Sequence, residues 1–321
     1  MSLAREYDAT VTVRAAAKIN LHLGVGRRRP DGYHPLATVY HAVSLHDDVT
    51  VGTGSGWSVD VVAPELEREG AVAVPGGVDN IAVRAGTALA RHHGLDTTAA
   101  ISIHKSIPVA AGMAGGSADA AATLVALDRL WDLQTSDDDL LALAAALGSD
   151  VPFALLGGTA EGGGRGEEVQ PLHDPHTRWW VVVPAAEGLP TPAVYRRFDE
   201  LNPDAPHDVT IPPRLLTALA DEDPAALAGL LHNDLQPAAL DLRPELAHVL
   251  RHGSEAGALC GIVSGSGPTC VFLCADRPTA DAVRHDFVAA GYAGVRTALG
   301  PVAGVHLVEP GQGPGGLEAL G

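Results

Sequence analysis

Lysine is nearly missing from this chain. Of 21 basic residues only Lys18 and Lys105 are lysines, and the rest are arginines. A chain so biased keeps lysine where a compact point charge is wanted, or else retains two by chance. Aromatic residues make up only 4%, so the cores must be aliphatic, and a hydrophobic content of 46% supplies them. The three cysteines, Cys260, Cys270 and Cys274, have neither metal-ligand nor CxxC spacing. That excludes a disulfide framework and leaves buried thiols in a reducing cytoplasm. No stretch approaches the roughly 20 apolar residues of a membrane span. "MSLAREYDATVTV" places Arg5, Glu6 and Asp8 where a signal peptide needs an apolar run, so a cytoplasmic protein is expected. Positive charge is also short: a formal net charge of −18 argues against nucleic acid and anionic membranes as partners. A small anionic substrate would have to be held by local devices against that field. The 15 histidines are scattered, and the His92–His93 pair has no carboxylate company in sequence, so no metal cage is assigned to them.

What is present reads as alternating strands and helices. At 321 residues there is room for two domains. "YDATVTVRAAAKINLHLGVG", "LATVYHAVSLHDDVTVGTG" and "WSVDVVA" alternate as strands, and 64–80 is loop. "NIAVRAGTALARHHG" is an amphipathic helix stopped by Gly94. "AAISIHKSI" is a further strand. "TSDDDLLALAAALG" is a helix with Ser136 and Asp139 as an acidic capping box. "SDVPFALL" is a short apolar element before a glycine-rich turn, and "WWVVVPA" looks like a fresh start. The second half gives a loop through "PTPAVYRRF" and helices near 213–220, 224–232, 244–257 and 278–290. The strand pair "GIVSG" and "CVFLCA" and a last strand near 303–308 complete it. The pattern predicts an α+β fold with domains at 1–175 and 176–310 and a disordered tail at 311–321. A G-x-G-x-x-G at Gly311 falls in that tail, where no βαβ unit can follow, and is read as chance.

The chemistry concentrates at "PVAAGMAGGSADAAA", residues 108–122. Gly112, Gly115 and Gly116 are expensive to order, yet they stand before the helix-forming run "SADAAATLVALDRLW". No Gly-Lys-Ser/Thr follows, so this is not a Walker A loop, and G-x-x-G-G is not the dinucleotide fingerprint. Two readings stand: a tight strand-to-helix turn, or a loop that lays free N–H groups and about half a positive charge against a phosphate.

Three stretches in order, "AAAKINLHLGV" with "RPDGYHPL", "PVAAGMAGGSADAAA" and "GIVSGSGPTCVF", resemble the three motifs of the GHMP kinases. The resemblance runs from Ala15 to about Val308. The finer features "AKINL", "PDGYH" and "GSDVPF" resemble the branch of that family whose acceptor is a cytidine diphosphate-linked polyol. It implies a two-domain fold, an N-terminal ribosomal-protein-like α/β domain and a ferredoxin-like C-terminal domain, with the active site in the cleft between them. It implies ATP as phosphoryl donor with Mg²⁺, small-molecule substrates, and no nucleic-acid, membrane or obligate protein partner. Carried over residue by residue, Pro108, Val109, Ala110, Ala111, Gly112, Met113, Ala114, Gly115, Gly116, Ser117 and Ala118 wrap the phosphates, with Asn80 and Lys105 near the adenine. The Ser117 hydroxyl offers itself to a phosphate or to Mg²⁺. Asp150, at the family's G-x-D-V-P aspartate, accepts or orients the substrate hydroxyl, with Lys18 beside it. On local sequence alone Asp150 reads as a helix N-cap, and Lys18 as a surface residue. Asn20, Tyr33, His34 and Tyr195, together with Asp150, match acceptor-binding positions, the two tyrosines stacking on the base. Arg27–Arg29 is a solvated turn or a contact to the acceptor diphosphate.

The chain departs from the family at Ala114, Ala118 and Asp119. Ala114 stands where the family has glycine and is tolerable only with φ < 0. Asp119 suits the helix dipole but would repel a phosphate if it turned inward. The competing readings are a sister kinase acting on homoserine or a mevalonate derivative, and a catalytically silent sensor on the same fold.

Overall fold

The computed structural model describes residues 10–64, 66, 77, 79–109, 111–185 and 187–308. Ala110 and the 311–321 tail, with its glycine motif, lie outside these. Two long strands, β1 (Val11–Val25) and β2 (Leu36–Thr53), pair antiparallel from Val11–Val51 to Val25–Leu36. With period two, Val13, Ala15, Ala17, Ile19 and Leu21 enter one core and are fully buried. Lys18 and Asn20 alternate with them. A register shift between Asn20 and His22 re-aims the strand, and Leu23 and Val25 join a second core instead. One strand therefore serves both halves of the molecule.

The first half continues with β3 (Ser58–Val62), α1 (Ile81–His92), β4 (Ala99–His104), α2 (Gly115–Leu130), α3 (Asp137–Leu147), α4 (Val151–Leu156), β5 (Thr159–Gly163) and β6 (Glu168–Pro171). The second half holds β7 (Arg178–Val183), α5 (Thr191–Leu201), α6 (Pro213–Leu219), α7 (Pro224–Ala228), β8 (His232–Asn233) and α8 (Gln236–Leu242). It ends with α9 (Leu246–Glu255), β9 (Cys260–Val263), β10 (Cys270–Cys274), α10 (Arg277–Ala289), β11 (Arg296–Gly300) and β12 (His306–Leu307). The first sheet runs β12-β1-β2-β4-β3, with β5 and β6 added beside β2 and β8 beside β1. The second, all antiparallel, runs β11-β7-β10-β9. The fold is α+β, as expected. Two short strands from the second half, β8 and β12, return to pair with β1 in the first sheet.

The helix signals translate directly. Asn80 Oδ1 accepts from the Ala82 amide at 2.9 Å and starts α1. Gly94, at φ +64°, follows its last turn. Ser136 Oγ accepts from the Asp139 amide at 3.2 Å and starts α3. Three segments differ. "PTPAVYRRF" is not a loop but most of α5. Pro192 sits in the first turn, where the missing N–H is no loss, and Val194 and Phe198 are spaced to bury one face. α8 goes unannounced for a similar reason, with a proline in its first turn. The helix predicted over 224–232 stops at Ala228, and the chain turns back to form β8. Among the described residues no helix is long and apolar enough to cross a membrane.

Candidate active site

β4 ends at His104 and the chain turns into the glycine loop. Asp47 of β2, fully buried, gathers this turn. Its Oδ1 accepts from the Ser106 amide at 2.7 Å and the Ile107 amide at 2.9 Å, and its Oδ2 accepts from the Lys105 ammonium. Lys105 also donates to Asp119 Oδ2 at 2.8 Å. Asp119 has turned inward, as the dipole argument warned against, but beneath the loop, where Lys105 neutralises it. Two carboxylates share one ammonium. Burial pushes the Asp119 carboxyl up to about 8, with Lys105 pulling the other way and the Asp47 charge adding to the rise. At Lys105 burial opposes the charge, but Asp119 and Asp47 outweigh it and raise its pKa.

The loop itself departs from one expectation. Ala114 takes φ 57° and ψ 32°, the left-handed region, and not φ < 0. The chain must turn there to enter α2, and an L-residue does so at about 1–2 kcal/mol. Bonds on both sides hold it. Ala118 N donates to Ala114 O at 2.9 Å, Lys18 N to Met113 O at 3.2 Å, and Ser264 Oγ to Gly112 O at 3.2 Å. Gly112, at φ +76°, can only be glycine, since a Cβ would lie 2.2 Å from the Ser264 carbonyl oxygen.

A cavity of about 840 Å³ lies between the two halves. Pro108, Val109, Ala111, Gly112 and Ala114 line it, as do Gly115, Gly116 and Ser117 in the first turn of α2. Met113 and Ala118 are buried behind the loop. Lys105 lines the wall, its ammonium committed to its two carboxylates. Asn80 is not on the wall; its side chain caps α1.

Lys18, Asn20 and Asp150 meet at the cavity floor. The Lys18 ammonium, nearly buried, donates to Asn20 Oδ1 at 2.8 Å and lies 3.7 Å from Asp150 Oδ2. Asn20 in turn donates to Thr38 Oγ1 at 2.8 Å, and Thr38 to the His22 carbonyl at 2.7 Å. That chain fixes the amide so that its oxygen faces Lys18. Asp150 is the residue before α4, yet its side chain makes no cap hydrogen bond. The carboxylate is spent on the cavity instead. Tyr40 lies under Lys18, 5.5 Å from ammonium to ring centroid. Burial, with the Asp150 charge next, raises its phenol well above the usual range.

Tyr33, His34 and Tyr195 give the cavity an aromatic lobe. His34 and Tyr195 have ring centroids 4.9 Å apart, and Phe198 meets His34 edge-on at 6.1 Å. Tyr33 is half exposed, and the Arg165 guanidinium lies 4.8 Å from its ring centroid. Of the Arg27–Arg29 turn only Arg28 reaches the wall. Arg27 donates to the Pro203 carbonyl, and Arg29 pairs with Asp31 at 3.0 Å. Asp47, Thr38, Tyr40, Arg165 and Asp199 are site residues that the motifs did not single out. The one signal available for Asp199 was its place a helical turn after Tyr195.

A glycine loop opening a helix, a Lys–Asp pair below it and a cleft between two α+β halves define a small-molecule kinase class. The chain belongs to the GHMP kinase family: residues 64–158 match "GHMP kinases N terminal domain" and residues 215–293 match "GHMP kinases C terminal". It is 60% identical to a 4-diphosphocytidyl-2-C-methyl-D-erythritol kinase from a Nocardioides species, over 92% of this chain and 99% of that protein. It is 52% identical to the kinase of that name from Mycolicibacterium smegmatis, over 96% of each. A crystal structure of 4-(cytidine 5'-diphospho)-2C-methyl-D-erythritol kinase superposes with a TM-score of 0.72 at 32% identity, covering 90% of this chain and 98% of that one. A homoserine kinase from Cytophaga hutchinsonii shares the fold at TM-score 0.68 and 18% identity, covering 96% of this chain and all of that one.

Proposed function

We propose that this protein transfers the γ-phosphoryl group of ATP to the 2-hydroxyl of 4-diphosphocytidyl-2-C-methyl-D-erythritol, in the non-mevalonate route to isoprenoids. The observation that carries the reading is that Asp150 and Lys18 share one cavity with the glycine loop and with the His34–Tyr195 aromatic pair. The amides at the start of α2 and its partial positive charge suit the phosphates of the nucleotide. Asp150 accepts the hydroxyl proton, or aims the hydroxyl in line with the γ-phosphorus. Lys18 keeps that carboxylate ionised and stabilises charge on the attacking oxygen. Tyr195 and Tyr33 bracket the base.

The wall also fits Mg²⁺. The metal binds through few protein oxygens plus phosphates and water, and Ser117 and Asp150 supply oxygen donors there. Bound, it would neutralise charge on the phosphates. Among the described residues no group of three or more His, Cys, Asp or Glu forms a separate cage. The cysteines are free, and burial pushes the Cys270 and Cys274 thiols up to about 12. Buried thiols held protonated in this way are inert.

The test is ADP release from ATP and Mg²⁺ with a panel of acceptors. The cytidyl substrate should turn over while homoserine and mevalonate stay inert. Comparable turnover on either would overturn the acceptor, and no turnover with any acceptor would leave a silent relative of the kinases.

A further inference from the structure

His34 is held on three sides by one helix, α5. Tyr195 covers its face, Phe198 meets its edge, and Asp199, one turn beyond Tyr195, accepts from its Nε2 at 2.8 Å. The His34 side chain is only 6% exposed, so the ring has little freedom to rotate away. An ionised carboxylate can only accept, so Nε2 carries the hydrogen, and in the neutral ring Nδ1 is left with a lone pair. Nδ1 has no hydrogen-bond partner among the described residues, and His34 lines the cavity. The aromatic lobe thus presents a fixed acceptor and no donor at this nitrogen.

We propose that Asp199 is the positioning residue that makes the acceptor site select an amino-pyrimidine over an oxo-pyrimidine. The proposal rests on the cytidyl reading above and adds its specificity determinant. The exocyclic amine of cytosine donates to the Nδ1 lone pair. Uracil offers a carbonyl at the same place, two lone pairs then face each other, and both lose their partners to water. The neutral ring can adapt to uracil only by moving its hydrogen to Nδ1, and that would set the Nε2 lone pair against the Asp199 carboxylate. The carboxylate therefore acts at one remove, by forbidding the tautomer that would welcome the wrong base.

Asparagine in place of Asp199 keeps the size but removes the prohibition, because an amide can accept from Nε2–H or donate to a bare Nε2. The experiment compares kcat/KM for the cytidine- and uridine-diphosphate-linked acceptors, and binding of cytidine and uridine diphosphate by calorimetry, at mildly alkaline pH. The wild-type protein should prefer the cytidyl form by roughly 10- to 100-fold, the scale of one hydrogen bond left unmade. Asp199→Asn should bring the two within a few-fold while the KM for ATP stays put. A ¹⁵N spectrum of the wild-type protein should show His34 Nδ1 unprotonated, a readout that needs no variant. An unchanged preference in folded Asp199→Asn, a protonated Nδ1 in the neutral wild-type ring, or equal wild-type use of both acceptors overturns the proposal and leaves the kinase reading standing. Failure of the wild-type enzyme to use the cytidyl acceptor at all overturns both.

Discussion

Asp150→Asn separates the two things an aspartate at the head of a helix can do. The carboxylate makes no cap bond in this structure, and asparagine caps about as well in any case, so α4 loses nothing. What stability is lost comes from Lys18, 3.7 Å away. At that distance the gross attraction is about 4 kcal/mol with an effective dielectric near 20. The Asp150 side chain is 30% exposed, so solvent screens much of this, and about 1 kcal/mol is the reasonable net. Lys18 also keeps its bond to Asn20. The melting temperature should therefore fall by about 2–4 °C. The rate should fall far more, because the amide accepts no proton and cannot balance the ammonium: about 10²-fold or greater in kcat. Coupled ADP release gives the rate, and calorimetry should find ATP still bound. A loss well under 10²-fold would favour aiming the hydroxyl over taking its proton. Wild-type turnover in a folded variant would refute any chemical role for Asp150.

Ala114→Gly should stabilise the protein by about 0.5–1 kcal/mol, since relief of the left-handed strain outweighs the entropy glycine adds to the unfolded chain; a drop in melting temperature would refute the strain. His22 sets part of the acid limit. Burial, and next the repulsion of His232, lowers its pKa from 6.5 to about 4, against the smaller opposing pulls of Asp234 and the Thr210 backbone. The folded protein holds this ring neutral, so its contribution is full above pH 6.5 and is lost as pH falls toward 4, by up to about 3 kcal/mol. Urea midpoints at both ends of that window should converge in His22→Phe, and an equal acid loss in variant and wild type would refute the assignment.

Local chemistry was legible and long-range pairing was not. The glycine loop, the Lys18 and Asp150 motifs and the caps at Asn80 and Ser136 each lie within a few residues of the feature they create. Asp47 does not. In "SLHDDVTV" it looks like a polar break in a strand, and only the pairing of β2 with β4 brings it under residues 105–107. Asp199 was hidden by the prolines around "PTPAV", which suggest a loop but here begin the helix that sets it one turn after Tyr195. At Ala114 the residue type pointed the wrong way, because an alanine occupies a backbone conformation that normally selects glycine. The packing of the loop against β1 and Ser264 overrode that preference.

Both lysines lie in the cleft, Lys18 6% and Lys105 2% exposed, so the outer surface of the folded protein carries arginine but no side-chain amine. Reagents that acylate primary amines therefore find no lysine on that surface while the fold is closed. Enzymatic acetylation, or ubiquitin attached through lysine, has no foothold outside the cavity. The same scarcity makes amine labelling a gauge of opening: each label on a lysine would report that the surroundings of Lys18 or of Lys105 had come apart.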